Sequence, residues 1–207
     1  VMRHAQTMAD MIKARTPGLS NQLPARYDRW GNERTRRSDM GKVYDAVSPF
    51  YKSSIKPQPI DTELSRLRKV VKLPGGNQSF SKPYGGGSIE VKLRKDYPAA
   101  YYRMVQLAGN EITKTQNGAP ITANGFVSQG GTLQEELNLL VTGQHQSSGM
   151  YNMFTDGEDG GKAAFIQSIL NQYRLAAKAQ VLIEYPDLQR EVNSRSNTPK
   201  YKFQETN

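Results

Sequence analysis

Apolar positions recur at helical spacing in a few short stretches separated by long polar ones. Met2, Ala5, Met8, Ala9 and Ile12 share one face and predict a short helix over residues 1–15, ended by Pro17-Gly18. Leu64, Leu67, Val70 and Val71 mark a second helix, with Asp61 or Thr62 as cap and Glu63 in its first turn. Pro74-Gly75-Gly76-Asn77 stops it. A third runs from Asp96 to about Lys114, with Pro98 in the first turn and Tyr101, Met104, Val105 and Ala108 as its apolar face. Leu133 to Val141 is a fourth, capped by Thr132. The strongest pattern, Lys162 to Tyr185, repeats through Phe165/Ile166, Ile169/Leu170, Tyr173, Ala176/Ala177 and Val181. Asp156, Glu158 and Asp159 precede it and suit its positive end, and Tyr185-Pro186-Asp187 ends it.

Strand-like alternation occurs once. Ile89, Val91 and Leu93 alternate with Glu90, Lys92 and Arg94, and with Phe80 and Tyr84 they predict a hairpin, or two short extended pieces, over residues 78–94, turning at Gly85-Gly86-Gly87. Residues 117–131 and 143–152 read as loops, and the tail from Asn193 to Asn207 as polar and extended. Residues 16–61 carry no convincing element; five prolines and three glycines punctuate them. So long a stretch without structure is unusual in a compact domain and predicts an extended strap held by a partner, because its own core cannot offset the ordering entropy. The expected fold is mainly α with a small β-hairpin. Residues 1–60 form an N-terminal helix and strap, 61–190 a small helical domain, and 191–207 an extended tail.

Composition limits the chemistry. Of 207 residues, 36% are apolar, below the roughly 45–50% of ordinary globular domains, so the core should be modest. No apolar run approaches the roughly 20 residues of a membrane helix. The chain has no Cys, which excludes disulfides, thiolate metal sites and Cys nucleophiles, and its only His are His4 and His145. It begins at Val1 without a targeting signal, as expected of a processed chain or a piece of a longer one. The net charge of +9 is uneven: residues 1–110 hold 20 Lys/Arg against 9 Asp/Glu, residues 111–207 hold 8 against 10. The basic half should attract nucleic acid or an acidic protein, unless its cations simply solvate a surface.

Several motifs resemble catalytic or ligand sites and fail on inspection. Gly160-Gly161-Lys162 lacks the first Gly and the final Ser/Thr of a phosphate loop. Asp156, Glu158 and Asp159 lack the spacing of a Ca²⁺ loop. Glu135 and Glu136 are adjacent and should diverge into solvent; His145 has no partner in view; Asn77-Gln78-Ser79 matches a common glycosylation triplet. No nucleophile with a nearby base emerges, so an enzyme is not expected, and no cofactor or metal is implied.

A wider order of short motifs stands out. Leu23-Pro24 is followed by Asp28-Arg29-Trp30-Gly31, then Ser48-Pro49-Phe50, Glu63-Leu64 and Arg66-Leu67. Next come Val91-x-Leu93, the tyrosines at 97, 101 and 102, Leu107 and Gly109. The series closes with Gly161-Lys162, Ile166, Tyr173-Arg174, Ala177 and Tyr185-Pro186-Asp187-Leu188. This order resembles the C-terminal region of large polyvalent proteins of tailed phages, including internal virion or ejection proteins of the virion RNA polymerase type. The resemblance spans about residues 17–190. It implies a non-catalytic segment packaged in several copies inside the capsid, attached near the portal and delivered into the host with the genome. The loop over residues 115–131 departs from that pattern in being longer and richer in Gly and Asn.

On this reading Tyr27, Trp30, Phe50 and Tyr51 anchor the strap in pockets of the portal or another internal virion protein, since large desolvated aromatics carry disproportionate binding energy. For Trp30 the alternative is packing on its own domain. Arg34, Arg36, Arg37, Arg66, Arg68 and Lys69 would meet acidic side chains or phosphates. A second reading is a nucleic-acid-binding module of a larger virion-packaged polymerase, contacting packaged DNA.

Overall fold

A computed structural model describes residues 28, 30, 31, 58–67, 75–81, 87–156 and 161–196. The predicted helix over 1–15, most of the strap, Val70 and Val71, and the last eleven residues lie outside the described residues. The rest is mainly α-helical, as the periodicity predicts, with the expected small antiparallel hairpin and a second, shorter one. Two cores are strung along one long helix.

Helix α1 is Pro59–Arg66 and strands β1 and β2 are Gln78–Ser81 and Ser88–Val91. Helices α2 and α3 are Leu93–Asp96 and Pro98–Gln106, and α3 continues into a π-helix, Leu107–Glu111. Strands β3 and β4 are Thr122–Ala123 and Phe126–Val127. Helices α4 to α7 are Leu133–Val141, Ser148–Met153, Gly161–Glu184 and Pro186–Ser196. None of the described helices is long and apolar enough to cross a membrane.

Helix α6 joins the two cores because its apolar stripe is longer than either neighbour set. Its N-terminal half buries Phe165, Ile166, Ile169, Leu170 and Tyr173 against α1, α4, Tyr151 of α5 and the β3–β4 hairpin. Its C-terminal half buries Ala177 and Val181 against the β1–β2 hairpin, α3, the π-helix and α7. Each large side chain so enclosed contributes about 1.5–3 kcal/mol. Ile112 packs against both clusters.

Several boundaries follow local chemistry. Thr132 caps α4 in a capping box: its hydroxyl accepts from Glu135 N–H, and the Glu135 carboxylate accepts from Thr132 N–H at 2.8 Å. Pro98 opens α3, as its fixed φ favours. Helix α1 starts at Pro59 for the same reason, two residues before the expected cap. Gln58, in the cap position, makes no side-chain cap, and Asn138 of α4 accepts from Ile60 N–H at 3.1 Å instead.

Other elements depart from the pattern. Strand β2 ends at Val91, and Leu93, expected to continue it, opens α2, where Arg94 N–H donates to Gly76 O at 3.0 Å. The helix expected from Asp96 to Lys114 is split at Tyr97, widens into the π-helix and ends at Glu111. The loop expected over 117–131 contains the β3–β4 hairpin, whose turn residues Asn124 and Gly125 both have positive φ, 48° and 86°. The loop expected over 143–152 contains all but the last residue of α5. Residues 193–196, expected in the extended tail, complete α7.

Candidate functional site

Trp30 lies against the π-helix, and Gly31 against the last residues of α3 just before it. A turn pre-forms this contact: Asp28 Oδ1 accepts from Trp30 N–H at 2.9 Å, and Asp28 O accepts from Gly31 N–H at 3.2 Å. Trp30 enters the first core and is only 2% exposed. Its carbonyl accepts from Asn110 Nδ2 at 2.7 Å. Gly109 makes the approach feasible, since a Cβ there would stand 1.6 Å from Trp30 O. Gly31, at φ +81°, also lies close on the backbone of Gln106, whose Cα is 2.5 Å from the position a Cβ on Gly31 would take. Among the described residues the buried indole Nε1–H has no hydrogen-bond partner. The expected insertion of Trp30 into a partner's pocket is therefore corrected: the ring fills its own domain, because the glycine pair lets the backbone close on the π-helix.

Arg66 is likewise committed. Its guanidinium meets Glu63 through two contacts, at 2.6 and 2.7 Å, and also binds Asp156. Asp156 in turn accepts from Lys162 Nζ at 2.8 Å, and Glu63 Oε1 accepts from Tyr151 O–H at 2.6 Å. The hydrogen bonds from Arg66, then Lys162, hold the Asp156 carboxyl well below the ordinary carboxylate range. Arg66 also lowers Glu63. Burial, then the bond to Glu63, pushes the Tyr151 phenol up. The network ties α1 to the start of α6. It assigns Lys162 to an ion pair and gives Asp156 two cationic partners, Arg66 and Lys162.

The second polar cluster is fully enclosed. Glu136 is 0% exposed, which corrects its expected solvent position. It falls on the apolar face of α4 with Leu133, Leu137 and Leu140, while Glu135 points outward. Its Oε1 accepts from Gln129 N–H and Gly131 N–H, each at 2.7 Å. Its Oε2 lies 2.8 Å from His145 Nε2. His145 Nδ1 accepts from Ser147 N–H at 3.0 Å, so the neutral ring carries its proton on Nε2 and donates to Glu136. The ring stacks on Phe126 with centroids 4.8 Å apart. Both imidazole nitrogens are occupied, so this Glu–His pair resembles a catalytic dyad only in composition. It satisfies the β4–α4 turn and fixes it to the loop before α5.

A third group is cationic and lies over the second core. Arg94 stands over the Tyr101 ring, 5.7 Å from its centroid, and Lys178 over Phe80 at 5.9 Å. Lys178 Nζ donates to Ser79 O at 3.1 Å. Arg174 lies one turn before Lys178 on α6. Burial lowers the pKa of both, and the charge of Arg174 lowers Lys178 further. Arg103, by contrast, pairs with Glu184 at 2.8 Å and Glu111 at 2.7 Å.

Of the residues expected to bind partners, only Trp30 and Arg66 fall among the described residues, and both serve the chain's own fold. Tyr27, Phe50, Tyr51, Arg34, Arg36, Arg37, Arg68 and Lys69 lie outside them. The Gly109–Asn110 dock and the Glu136–His145 pair escaped sequence reasoning. For Glu136 a signal existed, its place in the apolar stripe of α4. Asn77, of the glycosylation triplet, donates across the hairpin to Glu90 at 2.6 Å. Among the described residues, no group of three or more His, Asp or Glu could hold a metal ion.

The described residues hold 11 Lys/Arg and 12 Asp/Glu, so the helical body is close to neutral and the excess positive charge lies in the remaining residues. No family model, curated protein or solved structure matches this chain.

Proposed function

We propose that this chain is a structural segment of an internal virion protein of a tailed phage, docking on the portal or another capsid-interior protein and assisting genome ejection. The order of motifs from Leu23-Pro24 to Leu188 first suggests this role. The observation that carries it is how the body spends its charge. Arg66, Arg103, Lys162 and Arg190 all face the body's own carboxylates, which leaves a neutral helical unit suited to protein contact. The absence of disulfides is compatible with passage through a narrow channel. The basic remainder, with Arg34, Arg36, Arg37, Arg68 and Lys69, would meet acidic side chains, and Tyr27, Phe50 and Tyr51 would fill pockets on the same partner.

The uneven charge favours one further reading, a module that holds DNA through those basic segments. The two separate in a salt series. Docking predicts weak binding to duplex DNA and salt-tolerant binding to purified portal protein. A DNA-holding module predicts tight binding to DNA that falls steeply with salt, because each phosphate contact releases counterions.

A further inference from the structure

The contact of Trp30 and Gly31 with the π-helix and the end of α3 is built like a receptor for a peptide. Ordinary core contacts match side chain to side chain. Here the body instead makes room for a main chain: Gly109 leaves out a Cβ where the Trp30 carbonyl lies, and Asn110 Nδ2 donates to that carbonyl at 2.7 Å. The occupant matches this with its own backbone. Its Asp28 and Gly31 hydrogen bonds close the turn internally, and the positive φ of Gly31 brings its backbone against Gln106. Only then does the indole enter the core as a single large anchor, as peptide-recognition sites use one.

The occupant is also separable. Among the described residues, four hydrogen bonds that knit the first core, Ile60 N–H to Asn138, Tyr151 O–H to Glu63, Tyr173 O–H to Gly131 and Glu136 to His145, involve neither Trp30 nor Gly31. The second core does not include Trp30. The unpartnered Nε1–H makes docking weaker than burial of the indole alone would give, because that donor leaves water without replacement. We infer that Gly109, Asn110 and the first-core slot beneath them form a recognition site for an Asp-x-Trp-Gly peptide, filled here by the chain's own Asp28, Trp30 and Gly31 and able to release them while the body stays folded. The inference stands apart from any role in a virion.

Trp30 is the only tryptophan, so the Trp30→Ala full-length chain is optically silent at the indole and a synthetic peptide of residues 25–33 reports its own binding. The expected result is a Trp30→Ala chain that keeps its helical circular dichroism and a cooperative melt. The peptide should bind it with a blue-shifted emission, at least about tenfold more tightly than it binds the Trp30→Ala, Gly109→Ala chain. The same peptide with Trp replaced by Ala, followed by a label, should not compete. Equal binding to the two chains would place the peptide elsewhere on the surface and overturn the site. Failure of the folded Trp30→Ala chain to bind the peptide would overturn it too. A Trp30→Ala chain that does not fold would show that the segment is inseparable from the core, which equally overturns the inference.

Discussion

The carbonyl oxygen of Trp30 occupies the space that a side chain at position 109 would need. A Cβ on Gly109 would come within 1.6 Å of it, and the two residues are 79 apart in sequence. Gly109 also sits in a helix, where Gly→Ala normally stabilises by about 0.5–1 kcal/mol. The sign should reverse here. Gly109→Ala should displace the segment and cost about 3 kcal/mol, the order of deleting a buried aromatic, in urea unfolding. A stabilised Gly109→Ala protein would contradict the contact.

Glu136 accepts from three donors, which engage both of its oxygens. Glu136→Gln replaces one oxygen with an NH₂ that must face either two backbone N–H groups or the imidazole Nε2–H. Moving the imidazole proton to Nδ1 gives no relief, because Ser147 N–H already points there. The substitution should therefore lower unfolding free energy by about 2 kcal/mol despite near-identical shape. The check is chemical denaturation of Glu136→Gln beside Glu135→Gln, whose exposed carboxylate should matter less.

The α1–α6 network sets an acid-side pH dependence. Glu63 and Asp156 are held below their ordinary values in the fold, so the unfolded chain takes up protons first as pH falls. The stability they supply is complete above the ordinary carboxylate range, about pH 4, and is lost progressively below it. The pairs are well exposed, so the effect should be modest. Arg66→Ala should flatten the acid limb of a thermal-melt series between about pH 5 and 2.

Tyr151 acts on the alkaline side with the opposite sign. Its phenol is raised by burial and by Glu63, so the unfolded chain ionises first as pH rises. The stability it contributes is present below about pH 10 and lost above that value. Tyr151→Phe should make the melting temperature fall less steeply above pH 10. Some slope should remain, since burial also raises Tyr173 and Tyr101.

How far the fold could be read in advance depended on element length. Helix α6 offers several repeats of one stripe, and α4 carries Thr132 with Glu135 at capping spacing, so both were legible. Strands β3 and β4 have two residues each, too few to alternate, and only the Asn124-Gly125 pair announces the turn. The π-helix hides because one extra residue per turn shifts the stripe without breaking it. The residue packed against it, Trp30, is distant in sequence. Glu136 was misplaced by its charge, although its spacing from Leu133 and Leu140 put it inside. The partner of an isolated aromatic is the least legible feature: nothing local tells Trp30 whether to fill its own core or another protein's.

That choice can be measured directly, because Trp30 is the sole tryptophan. The measurement is the emission spectrum and acrylamide quenching of the full chain alone, before and after denaturation. A blue-shifted emission protected from quencher, lost on unfolding in step with the helical signal, is the outcome expected of a tryptophan built into its own body. An emission already red-shifted and freely quenched in the native chain would contradict it and return Trp30 to the surface as a residue for a partner.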